Sequence, residues 1–232
     1  MSKFWETASP EVRSQAVLLI PVGSTEQHGP HLPLTTDTNI ALELCERAAA
    51  SLENVYVSSP MPFGASGEHQ DFPGTLSIGT ETLYLVILEL GRSAQHSFGL
   101  TIFVNAHGGN VEAMNAASAR LSHEKHPAVT WNAPLMGDLH AGQTETSIMM
   151  HLAPEQVRAH LLATGNMQPP HEVLPVMFEH GMSAVSENGV LGDPTKASAA
   201  QGKALLDAAG VALVLFIKAQ ELESQFKIAL SS

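Results

Sequence analysis

The chain has 232 residues, and 44% of them are hydrophobic, which is enough for a full core. Its formal net charge of −12 argues against a nucleic-acid or anionic-membrane partner, because both require a basic face. No apolar run reaches the ~18 residues that span a bilayer, and no secretory leader is recognised, so we expect a cytoplasmic protein. The single cysteine, Cys45, excludes an intrachain disulfide and has the apolar neighbours of a buried side chain.

The hydrophobic pattern predicts strands that alternate with helices. In chain order we expect a short helix at 10–15, strands at 17–22, 55–59, 101–104 and 129–132, and helices at 37–51, 80–97, 111–123, 144–151 and 199–226. Residues 165–200 are rich in Pro, Gly and Asn and are expected to be irregular. This alternation indicates a parallel sheet covered on both faces, and no repeat or linker interrupts it. We therefore predict one α/β domain over residues 1–232.

Four polar loops each follow a strand or open a helix, at residues 23–38, 64–75, 105–110 and 137–146. Because parallel strands all end at the same edge of a sheet, these loops are expected to meet at one site. From these loops, two histidines and three carboxylates are the candidate metal ligands: Glu26, His28, Asp37, His107 and Glu145. This set lacks a thiolate and suits Zn, Mn or Fe(II), with enough side chains for two metal ions that share a bridging carboxylate.

Taken singly, these residues have structural explanations. Asp37 can cap the helix that follows it, and Glu145 can favour a helix dipole. His28 and His107 can be hydrogen-bonded, partly buried side chains. Their joint occurrence on converging loops is what favours a metal centre.

Signatures of other active sites are absent. No Gly-x-Ser-x-Gly nucleophile elbow, no P-loop and no Gly-x-Gly-x-x-Gly after a strand occurs in the sequence. Gly108 and Gly109 open a helix and can cradle a phosphate, but the histidine directly before them favours a metal loop in which the backbone approaches a ligand.

The segments GSTEQHGPHLPLTTDT, FPGT, NAHGGN and HAGQTETS resemble the creatininase (creatinine amidohydrolase) family of dinuclear metal hydrolases. The resemblance runs from about residue 17 to 150. It implies five metal ligands, with Asp37 as the bridge and Glu145 completing the coordination shell of the second metal: Glu26, His28, Asp37, His107 and Glu145. It implies that His140 is a catalytic or substrate-contacting histidine. It also implies a three-layer α/β/α sandwich around a mainly parallel sheet, assembled as a homohexamer.

Two positions depart from creatininases that hydrolyse creatinine. Gly109 stands where they carry a glutamate, and Met136 stands where they carry a pocket tryptophan. The segments SGEHQDFPGTLSIGTE, GDLHAGQTETS and AVSENGVLGDPTKAS instead resemble the mycofactocin-system branch of the family. That branch removes the C-terminal Val-Tyr dipeptide from a radical-modified precursor peptide, and the last segment is expected to shape the substrate pocket.

The resulting hypothesis is an amide or peptide hydrolase with two divalent metal ions per chain. The metals would activate a water for attack on an amide carbonyl, and His140 would protonate the leaving amine. His140 and Glu145 are the expected catalytic residues, and His69, Gly108 and Gly109 the expected substrate contacts. The alternatives are an amidohydrolase acting on a small cyclic or formylated amide, of creatininase or formamide deformylase type, and a non-catalytic metal-stabilised scaffold.

Overall fold

Four strands form a parallel sheet in the computed structural model, which describes residues 4–135 and 137–231. They are β1 (Val17–Val22), β2 (Val55–Val57), β3 (Leu100–Asn105) and β4 (Ala128–Asn132), in the spatial order β2-β1-β3-β4. Val17 of β1 is in register with Val55 on one side and with Leu100 on the other. The predicted strands are therefore confirmed, although β2 ends two residues earlier than expected.

Helices cover both faces of this sheet. They are α1 (Thr36–Ala50), α2 (Thr80–Ala94), α3 (Val111–His123), α4 (Gln143–Leu152), α5 (Pro170–His180) and α6 (Ala199–Ser231). Because side chains alternate along a strand, Leu19 and Ile102 join one apolar cluster with α1, α4 and α6, whereas Leu18 and Phe103 join another with α2 and α3. Cys45 is fully buried in the first cluster. The predicted α/β/α sandwich is confirmed.

Two local predictions are wrong. Residues 10–15 do not form a helix: a 3-10 turn occupies Ser9–Glu11, and Gln15 has a φ of 66°, which ends any right-handed helix. Residues 165–200 are not irregular throughout, since α5 lies within them despite its internal Pro175. Val173 and Met177 of α5 are buried in a cluster with Phe72 and Leu139, so tertiary packing offsets the weak local propensity.

The sheet has a topological switch point between β1 and β3. The chain leaves β1 toward β2 on one side and later returns to β3 on the other, so the loops after β1 and β3 diverge from a shared crevice. Ligands of open α/β sheets bind in such crevices, at the carboxyl ends of the strands.

The helix α6 has both a buried and an exposed apolar side. Leu206, Leu213 and Ile217 are buried against the sheet layer, whereas Val211 and Leu215 are exposed. By length and composition alone, its segment Ala199–Glu223 is the one described helix that could cross a membrane. Since the buried residues pack against α1 and α4, this segment serves as a core helix of the sandwich.

Candidate metal centre

The crevice at the switch point gathers the predicted metal ligands. Glu26 and His28 lie on the loop after β1, Asp37 lies in the first turn of α1, and His107 follows β3. Glu145 comes from the first turn of α4. Three of the four polar loops thus supply these ligands, and the fourth, at 64–75, brings His69 to within 3.5 Å of Glu26, as the positions of the loops predict.

Asp37 is the central side chain of this group. Its Oδ1 lies 3.1 Å from His28 Nε2, and its Oδ2 lies 3.1 Å from His107 Nδ1. Ser24 Oγ donates a hydrogen bond to Oδ2 at 2.7 Å. The helix α1 has no side-chain cap, so the alternative in which Asp37 caps it is wrong.

Two groups of possible ligands share Asp37. Glu26, Asp37 and His107 present ligand atoms within 4.8 Å of one another, and so do His28, Asp37 and Glu145. A third group within the same limit is made by Glu26, His28 and His140. The geometry therefore places a carboxylate between two adjacent sets of donors, as a bridging ligand requires.

The buried carboxylates and histidines of the centre shift one another's pKa values. Burial alone would lower the pKa of His28 and of His107, but the carboxylates that face them raise both pKa values to about 10. Burial would raise the pKa of Asp37, yet the two facing histidines hold it well below its usual range. Burial raises the pKa of Glu26 and of Glu145 to about 7. The same carboxylates that raise the histidine pKa values would favour a divalent cation among them.

Glu26 shows that the site fits a metal ion. Its side chain is fully buried, and neither Oε1 nor Oε2 has a hydrogen-bond partner among the described residues. His107 Nε2 lies 3.1 Å from Oε2, and His69 Nε2 lies 3.5 Å from Oε1. A buried carboxylate without hydrogen bonds is costly unless a cation compensates it, and the surrounding nitrogen and oxygen atoms are donors that divalent metals accept.

Two asparagines hold the turn that carries His107. Asn105 accepts a hydrogen bond from the His107 N–H at 3.1 Å and donates to the His107 carbonyl at 2.8 Å. Asn110 donates to the Gly23 carbonyl at 3.0 Å and accepts from the Ala65 N–H at 2.8 Å. The two asparagines of the NAHGGN segment therefore have a structural role, which the sequence did not predict: their side-chain amides fix the backbone around His107.

Gly109 lies in a space that has no room for a side chain. A Cβ at this position would meet the Ala65 carbonyl oxygen at 2.2 Å, Glu68 Oε1 at 2.6 Å and His107 Nε2 at 2.6 Å. Glu68, which sequence reasoning missed, brings its carboxylate to 3.9 Å from His107 Nε2. The Glu68 carboxylate, from the loop at 64–75, thus lies beside Gly109, where creatininases that hydrolyse creatinine carry a glutamate. The other departure, at Met136, lies outside the described residues.

The start of α4 carries both His140 and Glu145. Asp138 accepts hydrogen bonds from the Gln143 and Thr144 N–H groups and so caps this helix. Glu145 Oε2 accepts from the Ala141 N–H at 2.6 Å, so the structural explanation of Glu145 as a helix-start residue is correct in part. The same oxygen lies 3.8 Å from His28 Nε2. Ala141 has a φ of 52°, a costly conformation for alanine, and such strain is typical of residues held in place beside a functional group.

His140 and His69 lie next to each other beside Glu26, at the edge of the centre. The His140 ring lies 4.3 Å from the His28 ring and 4.4 Å from the His69 ring, measured between centroids. Both side chains are buried, at 8% and 3% exposure. His69, expected as a substrate contact, is therefore part of the centre itself. The Leu191 backbone pairs with His140 in an antiparallel bridge, which brings the predicted pocket segment against the site.

A cavity of about 200 Å³ opens beside His107 and Glu145. Gly108 lies on its wall and has no heavy atom within 4 Å of a Cβ built on it, whereas Gly109 does not line the cavity. Its other walls come mainly from β4 and the loop that follows: Asn132, Ala133, Leu135, Asp138 and Leu139. Of the described residues that line it, none is Lys or Arg, so it offers no fixed positive charge to a phosphate.

The fold and the centre define a class of protein, the α/β enzymes that hold metal ions between histidine and carboxylate side chains. The sequence profile of the creatininase family, described as creatinine amidohydrolase, matches residues 3–217. The chain belongs to the creatininase family, whose members are metal-dependent amidohydrolases.

Known relatives agree with this assignment. The mycofactocin precursor peptide peptidase of Mycolicibacterium smegmatis is 49% identical over 194 residues, which cover 81% of this chain and 78% of that protein. The creatinine amidohydrolase of Pseudomonas putida is 28% identical over 227 residues, covering 82% and 84%. A solved structure described as "Creatininase Mn" superposes with a TM-score of 0.73 at 25% identity, covering 89% of this chain and 91% of that one. The expected family and fold are thereby confirmed.

Proposed function

We propose that this chain is a metal-dependent peptide hydrolase that releases the C-terminal Val-Tyr dipeptide from the radical-modified mycofactocin precursor peptide. The hydrolytic part rests on one observation, the buried Glu26 carboxylate that has no hydrogen-bond partner among the described residues and lies between histidines. The substrate rests on the 49% identity with a protein named mycofactocin precursor peptide peptidase.

Two metal positions are proposed. Glu26, Asp37 and His107 would hold one ion, and His28, Asp37 and Glu145 the other, with Asp37 shared between them. When bound, such ions lower the pKa of water toward neutrality and polarise an amide carbonyl. Asn105 and Asn110 keep the His107 turn in place, so that this ligand is oriented before any ion binds. The donor set leaves zinc, manganese and iron(II) as candidate ions.

His140 is the proposed proton carrier. Its Nε2–H donates to the Gln27 carbonyl at 2.8 Å, so Nδ1 is the atom that faces Glu26, at 3.7 Å from Oε1. Burial holds the pKa of His140 well below its usual value, so the ring is neutral before reaction. We therefore expect Nδ1 to accept the proton that the attacking water loses and to deliver it to the leaving amine.

The cavity beside the centre would receive the peptide on the side of the leaving group. Asn132 supplies a polar side chain there, and Leu135 and Leu139 supply apolar contacts. Gly108 would let the substrate backbone approach its own backbone closely. Gly109 is proposed to act through packing, because its surroundings exclude a direct substrate contact.

A small amide is the alternative substrate. A cavity of about 200 Å³ is large enough for a cyclic amide such as creatinine, and the relative from Pseudomonas putida is named for that substrate. A third possibility, a metal-stabilised scaffold without activity, predicts bound metal and no hydrolysis of any amide.

One experiment separates these functions. The metal-free chain is loaded with zinc, manganese or iron(II) under anaerobic conditions, incubated with the modified precursor peptide, and analysed by mass spectrometry. Release of Val-Tyr by at least one metal form, and its loss in Glu26→Gln, would support the proposal. Creatinine and an N-formyl amide are the comparison substrates. Hydrolysis of either without cleavage of the peptide would replace the proposed substrate, and metal binding without any hydrolysis would favour the scaffold.

We also propose a cytoplasmic homo-oligomer. Val211, Leu215 and Leu222 are exposed on one side of α6, with 61%, 62% and 56% of their surfaces accessible. A stripe of this kind is typical of a subunit interface. The hexamer implied by the family resemblance would give a mass six times 24.6 kDa in light scattering, and a monomer at micromolar concentration would contradict it.

A further inference from the structure

The side-chain amide of Gln27 connects three parts of the centre. Gln27 lies between two proposed metal ligands in sequence and is 4% exposed. Its Oε1 accepts a hydrogen bond from the Gly29 N–H at 2.9 Å. Its Nε2 lies 2.9 Å from His69 Nδ1, 3.1 Å from the Gly189 carbonyl oxygen and 3.1 Å from His140 Nε2.

The orientation of this amide is fixed by backbone groups. The Gly29 N–H requires an acceptor, and the Gly189 carbonyl requires a donor, so Oε1 and Nε2 can take these places in one way only. This removes the usual ambiguity between the oxygen and the nitrogen of a glutamine amide.

The tautomers of both histidines follow from this orientation. His140 Nε2 lies 2.8 Å from the Gln27 backbone carbonyl, which can only accept, so this nitrogen carries a hydrogen and cannot accept from the amide. The two amide hydrogens therefore go to His69 Nδ1 and to the Gly189 carbonyl. His69 then carries its hydrogen on Nε2, the atom that faces Glu26, whereas His140 presents a lone pair on Nδ1 to the same carboxylate.

Gly189 allows segment 189–191 to pack directly against the side chain of Gln27. It has a φ of 72°, and a Cβ there would lie 2.1 Å from Gln27 Oε1. The neighbouring Leu191 backbone pairs with His140. The segment 189–191 is thereby attached to the centre at two adjacent points.

We propose that Gln27 is a positioning residue whose side-chain amide sets the tautomer of His69 and attaches segment 189–191 to the centre, while its backbone carbonyl sets the tautomer of His140. Its effect on turnover rests on the proposed function, but its effect on the tautomers does not. His140 delivers protons from Nδ1 only while Nε2–H is held by the Gln27 carbonyl, and the ring that packs against it, His69, is held by the Gln27 amide.

Nitrogen-15 NMR of histidine-labelled full-length chain tests the tautomers directly, without substrate. The spectra are recorded metal-free and then with zinc, which is diamagnetic, and the His69 signals are assigned with His69→Gln. We expect an unprotonated Nδ1 on His69 in the wild type. In Gln27→Glu the carboxylate can only accept, so we expect Nδ1 of His69 to become the protonated nitrogen.

Kinetics supply the second measurement. Gln27→Met keeps the volume but loses the amide, and we expect kcat to fall by about 10- to 100-fold with unchanged metal content, since supporting groups around metal ligands have effects of this size. KM is expected to change little. Gln70→Met is the matched control, because Gln70 is an exposed glutamine next to His69 on the loop at 64–75.

The outcomes separate this inference from the proposed function. A wild-type His69 protonated on Nδ1, or an unchanged His69 tautomer in Gln27→Glu, would overturn the inference whatever the substrate proves to be. The predicted tautomers together with no hydrolysis of the precursor peptide would uphold the inference and reject the proposed function. If Gln27→Met does not fold, Gln27→Glu carries both measurements.

Discussion

His107 Nδ1 lies 3.1 Å from Asp37 Oδ2, across the crevice between β1 and β3. His107 follows the end of β3, and Asp37 lies in the first turn of α1, the helix after β1. The contact exists because β1 and β3 are neighbours in the sheet. In the metal-free chain this contact is an ion pair that shares its carboxylate with His28. The topology of the sheet therefore assembles the centre.

Replacing Asp37 should disrupt both proposed metal positions at once. We expect Asp37→Asn to lose metal, as measured by elemental analysis after dialysis, because the shared carboxylate is removed from both sets of donors. Leaving two buried histidine charges without their partner should also destabilise the metal-free chain by roughly 3–5 kcal/mol in urea unfolding.

Asp207→Asn is the control for this substitution. Asp207 pairs with Arg47 and Lys203 on the surface, where ion pairs contribute about 1 kcal/mol or less. If Asp37→Asn kept two metal ions per chain, Asp37 would not be the bridge.

The stability of the metal-free chain should decrease as the pH rises from 7 to 10. His28 and His107 have pKa values of about 10 in the folded chain and an ordinary value of 6.5 when unfolded. Between these values the folded chain holds protons that the unfolded chain has released, so the stabilisation is complete below pH 6.5 and is lost through pH 10. The raised pKa values of Glu26 and Glu145 act in the same direction up to about pH 7.

Metal should reverse this trend, since it binds the neutral histidines and releases their protons. Urea unfolding with a chelator and with saturating zinc, at several pH values between 7 and 10, measures both cases. If the chain in the presence of chelator became more stable toward pH 9, His28 and His107 would not carry the positive charges assigned to them.

Gly109→Ala should damage the centre, whereas Gly108→Ala should not. The new Cβ at position 109 would lie 2.6 Å from His107 Nε2 and 2.2 Å from the rigid Ala65 carbonyl oxygen, so the ring must move. We expect a 10- to 100-fold loss of metal affinity, of the order seen when groups around metal ligands are disturbed, and a destabilisation of about 1–3 kcal/mol.

Titration calorimetry with zinc measures the affinity of both glycine variants. Gly108 has open space around its Cβ position, so its alanine variant should bind zinc like the wild type. Equal affinities for the two variants would show that the backbone around Gly109 yields without moving His107.

His140→Ala should reduce turnover and leave metal content intact. The ring is placed to carry a proton at Nδ1, and general acid–base groups contribute about 10²- to 10⁴-fold to rate. The measurement is kcat for amide hydrolysis alongside metal analysis of the same sample. Loss of metal together with activity would instead identify His140 as a ligand in the group with Glu26 and His28.

The structure brings together the metal ligands predicted from the sequence, but the sequence did not predict the side chains that support them. Glu26, His28, Asp37, His107 and Glu145 follow strands or open helices, so parallel topology was enough to bring them together. The sequence did not predict roles for Gln27, Glu68, Asn105 and Asn110, because side-chain amides and glutamates are common in polar loops. Their contacts reach across 42 positions for Gln27 with His69 and 87 for Asn110 with Gly23, which no local pattern records. The extent of the domain, residues 1–232, stays a prediction.

The sequence by itself determined the order of strands and helices, the types of metal-ligand side chain and the loops that carry them. Hydrophobic periodicity and metal-ligand chemistry can be read from it because they are local properties. Tertiary structure decided the rest. It decided that α5 forms around Pro175, because apolar burial against Phe72 outweighs a lost helical hydrogen bond. It decided which nitrogen of His140 faces Glu26, because a backbone carbonyl distant in sequence holds the other one. Ring orientation and tautomer depend on distances between loops, and only the folded chain sets them.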